Sequence, residues 1–422
     1  MFGYVKQHGL KASVIPYCRL FIDKITFLPK KIYRRFKLDF EKKLLQFISG
    51  KNFRLKNIVV FECESDMDDN PRALYEYMLQ NNMEKKYHLV WIVKNIDFCR
   101  KNYAHKNVEF ISRSDYRLKS KIRFNYIFAT AKWFVFSHPP IGFEKRNEKQ
   151  FVLNTWHGVG LKADRAGDNK FMLSYDYVLV PSELCLELQR LIWREKQVYI
   201  CEYPRTRFLL NYDKNIINKI LPNLNNNSKI ILSMPTFRQA DGVTDSSDID
   251  RYSLGVIDNE QDFKEFNSYL QKNNIYMIVK LHPLQRLDVL DTDNLTNIIY
   301  LTNDYLFKNK ILLYNLLACA DALLTDVSSV YVDFMLLDRP IGFYVDNFEN
   351  YERGYLTDSP YDYMPGDLIK NKSGLYDFCD NLLKSIDNHK AERNKLCPLL
   401  HNDLSKDFCG QLIEFMGLQK NG

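Results

Sequence analysis

The chain has 422 residues and a mass of 50.1 kDa, a length that points to two or three domains. Its 46% hydrophobic and 26% charged residues are ordinary globular composition, which excludes disordered and collagen-like chains. The formal charge of +7 is uneven: residues 1–56 carry 14 Lys and Arg against three acids, and the remainder is mildly acidic.

No apolar run approaches the roughly 18 uncharged residues of a membrane-spanning helix. The N-terminus lacks the apolar core and cleavage site of a secretory signal. Nine scattered cysteines form no CxxC pair, arguing against a disulfide framework or zinc knuckle and for a reducing compartment, the cytosol.

In chain order, residues 14–48 of the leader mix bulky apolar groups with Lys30, Lys31, Arg34, Arg35, Lys37, Lys42 and Lys43. That pattern fits an amphipathic helix in the headgroup region of an anionic membrane. A solvated helix packed on the main body is the alternative. No zinc-finger or RNP signature supports a nucleic-acid partner.

From residue 57, Ile58–Glu62, His88–Val93, Val108–Ile111, Lys132–Phe136, Phe151–Thr155, Tyr177–Val180 and Val198–Cys201 read as buried strands. Helices fill the gaps, around Pro71–Leu79 and Ser182–Arg190, the latter capped by Ser182. The Asn-rich stretch Asn211–Ser228 reads as a linker. Strands resume at Lys229–Met234, Ile275–Leu281, Asn297–Leu301, Ala322–Thr325 and Pro340–Tyr344, and the chain from about Gly374 reads as helical. Alternating strands and helices predict doubly wound parallel sheets. The predicted organisation is a leader at 1–56, a first Rossmann-like domain at 57–210, a linker at 211–228, a second Rossmann-like domain at 229–395 and a C-terminal helix at 396–422.

Ligands of such sheets bind beyond the carboxyl ends of strands. After Phe151–Thr155 comes Trp156-His157-Gly158-Val159-Gly160-Leu161-Lys162, and after Ile275–Leu281 comes His282-Pro283. Of eight histidines, these two are read as lying at strand ends, one in each half. Asp326-Val327-Ser328-Ser329 precedes a predicted helix over Val330–Leu337, where hydroxyls and free amides make an anion site or a simple Ser cap. Asp333 lies one turn on, suited to a sugar hydroxyl. Arg205 and Arg238 follow strands and suit phosphate. Asp66, Asp68 and Asp69 read as a loop before a helix rather than a metal site. No P-loop, GxGxxG, nucleophile elbow or HExxH occurs.

Taken in order, Asp69-Asn70-Pro71-Arg72, Thr155-Trp156-His157-Gly158, Tyr203-Pro204-Arg205, Pro235-Thr236-Phe237-Arg238, Leu281-His282-Pro283, Thr325-Asp326-Val327-Ser328-Ser329 and Asp338-Arg339-Pro340-Ile341 resemble the CDP-glycerol glycerophosphotransferase family over about residues 57–370. The resemblance implies a GT-B fold, two Rossmann-like halves facing a central cleft. It implies an enzyme taking a CDP-alditol donor and a lipid-linked teichoic acid or capsule-like acceptor at the cytoplasmic membrane face. It implies His157 as general base and His282 as the donor-pyrophosphate ligand. The backbone of Gly158, Val159, Gly160 and Leu161 would line the donor pocket, with Arg205, Pro235, Thr236, Leu281 and Pro283 beside it. Ser328 and Ser329 would hold phosphate, and Asp333 the glycerol or ribose end. No cofactor or metal is required.

Two stretches depart from the family pattern, Gly158-Val159-Gly160-Leu161-Lys162 and Glu202-Tyr203-Pro204-Arg205-Thr206-Arg207, both expected to alter the donor-pocket rim. A GT-B glycosyltransferase with a nucleotide-sugar donor, and a non-catalytic membrane-associated binding protein, are the alternatives. The sequence carries no signal of oligomeric state.

Overall fold

The computed structural model describes residues 53–115, 117–138, 147–163, 175–190, 192, 197–236, 239–240, 243–244, 252, 254–281, 295–345, 348 and 354–420. The leader read as 1–56 therefore lies almost wholly outside the described residues, as do Phe237, Arg238, His282 and Pro283.

The first lobe is a seven-stranded parallel sheet: β1 (Lys56–Glu62), β2 (His88–Ile92), β3 (Val108–Ile111), β4 (Ala131–Phe136), β5 (Phe151–Asn154), β6 (Tyr177–Val180) and β7 (Gln197–Ile200). They lie in the order β3-β2-β1-β4-β5-β6-β7. Each apolar run read as a strand in this half forms one. The reason is burial on both faces: Val59, Val60 and Phe61 are consecutive and all essentially inaccessible. Helices α1 (Asp69–Gln80), α2 (Ile96–Tyr103), α3 (Leu118–Thr130), α4 (Glu183–Leu188) and the short α5 (Arg207–Leu210) belong to this half. Asp68 caps α1, and Ser182 caps α4 by accepting from the Cys185 amide.

The second lobe repeats the plan. Its strands β8 (Lys229–Ser233), β11 (Ile275–Lys280), β12 (Ile298–Leu301), β13 (Ala322–Thr325), β14 (Ile341–Tyr344) and β15 (Asp367–Ile369) form a parallel sheet ordered β12-β11-β8-β13-β14-β15. A two-residue antiparallel pair, β9 (Gln239–Ala240) with β10 (Val243–Thr244), stands apart from it. Side chains alternate between faces as the pleat requires: Ile230 and Leu232 join the core continuous with the first lobe, and Ile231 joins a separate outer core. That outer core holds Phe263 and Phe266 of α6 (Glu260–Lys272) and Phe378 from the C-terminal region. Helices α7 (Asn303–Lys308), α8 (Leu313–Cys319) and α9 (Val330–Phe334) follow. The helix expected over Val330–Leu337 is thus α9 continued by a 3-10 turn at Met335–Leu337, ending where Asp338 turns left-handed.

The Asn-rich connection is not a loose tether. Its 3-10 turn Lys214–Lys219 buries Ile216 and Ile217, and Tyr305 and Asn309 of the second lobe bond to Lys219. Beyond α10 (Lys372–Leu383), helices α11 (Lys390–Leu400) and α12 (Phe408–Phe415) return to the first lobe. The Leu399 carbonyl accepts from Ser182 Oγ at 2.7 Å and the Met416 carbonyl from Trp133 Nε1 at 2.7 Å. No helix among the described residues is long and apolar enough to cross a membrane.

Candidate active site

Strand order reverses between β1 and β4 in one sheet and between β8 and β13 in the other. Crevices open at the carboxyl side of such switch points. The segments that emerge there are Cys63–Asp69 and Ser137–His138 from the first lobe. Met234–Thr236 and Asp326–Ser329 emerge from the second.

His157 stands one strand along, after β5. It is exposed, and its Nδ1 donates to the Ser137 carbonyl at 3.2 Å. A carbonyl can only accept, so this bond assigns the Nδ1–H tautomer and leaves the Nε2 lone pair free. The His138 ring lies parallel to it, with centroids 4.3 Å apart and planes at 13°, and Trp156 packs beside it at 4.1 Å. Desolvation by the surrounding protein, then the charge of His138, hold the His157 imidazole well below its usual range. His138 Nε2 in turn meets Glu64 at 3.1 Å, and that hydrogen bond keeps the Glu64 carboxyl down at about 2.

The backbone here is strained. Met67, Asp69 and Trp156 all adopt positive φ without being glycine. Gly158 has φ +142°, and a Cβ there would stand 2.3 Å from Ser329 Oγ. The Trp156–Leu161 turn therefore touches the Ser328–Ser329 segment of the opposite lobe, bringing those predicted residues together. Val159 and Leu161 have buried side chains, and the Leu161 carbonyl accepts from the Leu356 amide at 2.8 Å.

Arg205 and Asp333 also depart from expectation. Neither is turned to solvent; they hold each other at 2.8 Å across the lobes. Arg205 further donates to Asp69 Oδ1 and the His157 carbonyl, each at 2.8 Å, and its guanidinium stacks over Tyr203 and Tyr314. Tyr314 donates to the same Asp333 oxygen at 2.7 Å. Burial works against ionised Asp69, but the Arg205 charge and hydrogen bond outweigh it and lower its pKa. An arginine expected to bind phosphate, and an aspartate expected to bind a sugar hydroxyl, are here one buried junction. Glu202 departs likewise. Fully buried, it meets His401 Nδ1 at 3.2 Å, and His401 Nε2 donates to the Val332 carbonyl at 2.9 Å.

In the second lobe Asp326 is the organiser. It accepts from the Thr236 amide at 3.0 Å, Thr236 Oγ1 at 2.5 Å and the Ser328 amide at 3.1 Å. Pro235, Thr236, Ser328 and Ser329, all half-buried, thus stand together at the switch point. Leu281 is buried in the outer core, and its amide and carbonyl bond to Leu301 and Lys280. Lys280 is buried and pushed down to about 8 by desolvation, against the pull of Asp68 in the first lobe. Burial and the Asp69 carboxylate push Asp68 up to about 6. Asp66 bonds the Lys94 and Asn95 amides, so the acidic loop is structural. Among the described residues no group of three or more His, Cys, Asp or Glu could hold a metal ion.

Sequence reasoning passed over His138, Glu64 and Lys280, and it named Asp69 and Asp326 without giving either a part in the site. His138 stands two residues past the end of β4, a third strand-end histidine that the same search of strand ends would have found.

The family model described as CDP-Glycerol:Poly(glycerophosphate) glycerophosphotransferase matches residues 44–400. The chain is 27% identical to the teichoic acid poly(glycerol phosphate) polymerase of Bacillus spizizenii, over 85% of this chain and 93% of that protein. It is 25% identical to the teichoic acid glycerol-phosphate transferase of Staphylococcus aureus, over 88% and 98%. In fold it is similar to the wall teichoic acid polymerase TagF, with TM-score 0.69 and 20% identity over 90% of this chain and 95% of that one.

Proposed function

Because the chain belongs to the CDP-glycerol:poly(glycerophosphate) glycerophosphotransferase family, we propose that its cleft transfers glycerol phosphate, or a related alditol phosphate, from a CDP-alditol to a hydroxyl of a teichoic acid-like acceptor. The acceptor oxygen attacks the alditol-bearing phosphorus, its proton passes to His157 Nε2, the P–O bond to the second phosphate breaks, and CMP leaves. Phosphoryl transfer asks for in-line placement and charge neutralisation more than covalent help.

The observation that carries this reading is the His157 tautomer, fixed by the Ser137 carbonyl so that the outer nitrogen is the basic one. A neutral imidazole near pH 7 suits a general base, typically worth about 10²- to 10⁴-fold. Gly158, Gly160, Pro235, Thr236, Ser328 and Ser329 would frame the donor. His282, from the turn after Leu281, would meet its pyrophosphate with Pro283 stiffening that turn. Lys280, Arg205 and Asp333 support the frame from behind. The acceptor would be lipid-linked, met at the cytoplasmic face of the membrane through the basic leader.

The test is CMP release by the full chain given CDP-glycerol or CDP-ribitol and a glycerol-phosphate-primed lipid. His157→Ala is expected to lower turnover by about 10²-fold or more with little change in donor binding. Absence of CMP with every CDP-alditol, alongside turnover of a nucleotide sugar, overturns the reading.

A further inference from the structure

We propose that His138, held by Glu64, is a positioning residue for His157: it fixes the plane of that imidazole and keeps its outer nitrogen free of a proton. The inference rests on the reading of His157 as the base.

Three contacts define the geometry. The two rings are stacked at 4.3 Å and 13°. His138 Nε2 donates to Glu64 Oε2 at 3.1 Å. His138 Nδ1 lies 3.2 Å from Ser137 Oγ. The Glu64 carboxylate is thus placed to balance a positive charge on the His138 ring.

A cation lying flat on His157 opposes a second proton on that ring. Residues 137 and 138 thus grip the base at two points. The Ser137 carbonyl selects the tautomer, and the His138 face sets the ring plane and resists protonation. The other charged groups facing His157 among the described residues are Asp69 from the start of α1, which pulls the opposite way, and Arg205, which acts with His138. Glu64 is anchored in turn, since Lys94 Nζ donates to its carbonyl at 2.6 Å.

The experiment compares the full chain with His138→Phe, which keeps an aromatic face but no charge, and with Glu64→Gln, which keeps the histidine but weakens its cation. Thermal melts establish that each variant is folded. The readouts are the titration midpoint of His157, followed by NMR of ¹⁵N-labelled histidine, and the pH profile of kcat. In His138→Phe the midpoint is expected to rise by about one pH unit. The acid limb of the kcat profile is expected to move to higher pH by the same amount, with the donor KM unchanged. Glu64→Gln is expected to move the midpoint the same way by less, and it decides the matter if His138→Phe does not fold. An unmoved midpoint in a folded variant overturns the proposal. Failure of the base reading looks different: His157→Ala would keep its turnover while the His157 midpoint still moved in His138→Phe.

Discussion

His157 and His401 show how one residue type is set to opposite ends by its surroundings. His157 gives one proton to a carbonyl and meets a cation, so its neutral form is favoured. His401 is squeezed between a carboxylate and a carbonyl; burial opposes its charge, but Glu202 outweighs burial and raises the pKa. The signs for stability follow from linkage. A histidine whose folded pKa exceeds its unfolded value of about 6.5 stabilises fully below that value. The contribution is lost as pH climbs through the folded pKa. Unfolding free energy of the wild type is therefore expected to decline above about pH 6.5, and His401→Gln, which cannot carry the charge, is expected to be less stable at pH 6 with that decline flattened. Denaturant melts at stepped pH check it; parallel pH slopes for the two proteins would remove the clamp. A lowered His157 pKa implies that kcat holds as pH falls through the ordinary histidine range.

At the scale of elements, the contact between the Trp156–Leu161 turn and the start of α9 explains why a glycine stands at 158. Two penalties meet there: φ of +142°, which L side chains rarely adopt, and a Cβ that would overlap Ser329 Oγ. Gly158→Ala is expected to destabilise by about 1–3 kcal/mol and to reduce turnover by displacing the lobes locally. Adding Ser329→Gly should restore only the share due to overlap, since the backbone strain persists; full recovery in melts and turnover would show strain to be negligible. The same turn marks how much was legible beforehand. Parallel strands buried on both faces advertise themselves as apolar runs, so β1 to β7 and most of the second sheet could be placed from composition alone. β15 has three residues with an exposed Leu368, and β9 and β10 have two each, too short to show any period. Lys280 was hidden inside the apolar run Ile275–Leu281, and Glu202 looked like a rim substitution because nothing local announces a partner 199 residues away. His157, Ser328 and Ser329 were legible because strand ends are local. The mutual engagement of Arg205 and Asp333, 128 residues apart, was not.

At the scale of the whole chain, the two sheets share a continuous apolar core crossed by polar struts, and the charge is distributed asymmetrically. Arg205 with Asp333 and Tyr314, His401 with Glu202 and Val332, and Phe307 packed 4.4 Å from Phe98 all cross between the lobes. Removing one partner of a buried pair leaves the other uncompensated, so Asp333→Asn is expected to lower unfolding free energy by about 3 kcal/mol, read by denaturant titration; a change below the error of that measurement would make the pair incidental. The asymmetry lies in residues 1–56, whose 14 basic and three acidic side chains precede a body carrying a small net negative charge. An anionic bilayer attracts such a segment by about 1 kcal/mol per basic residue near its surface, whereas the body would be weakly repelled. Attraction of that kind decays over a Debye length of about 10 Å at 0.1 M salt. The full chain is therefore expected to sediment with phosphatidylglycerol vesicles at low ionic strength, to be released by about 0.5 M salt, and to ignore phosphatidylcholine vesicles. Replacing Lys30, Lys31, Arg34, Arg35 and Lys37 with glutamate should abolish sedimentation while sparing turnover on a soluble acceptor, because the chemistry sits at strand ends in the body. Equal binding to neutral vesicles would mean that the apolar residues of the leader, not its charge, set the attachment; binding to neither would leave acceptor capture to the cleft itself.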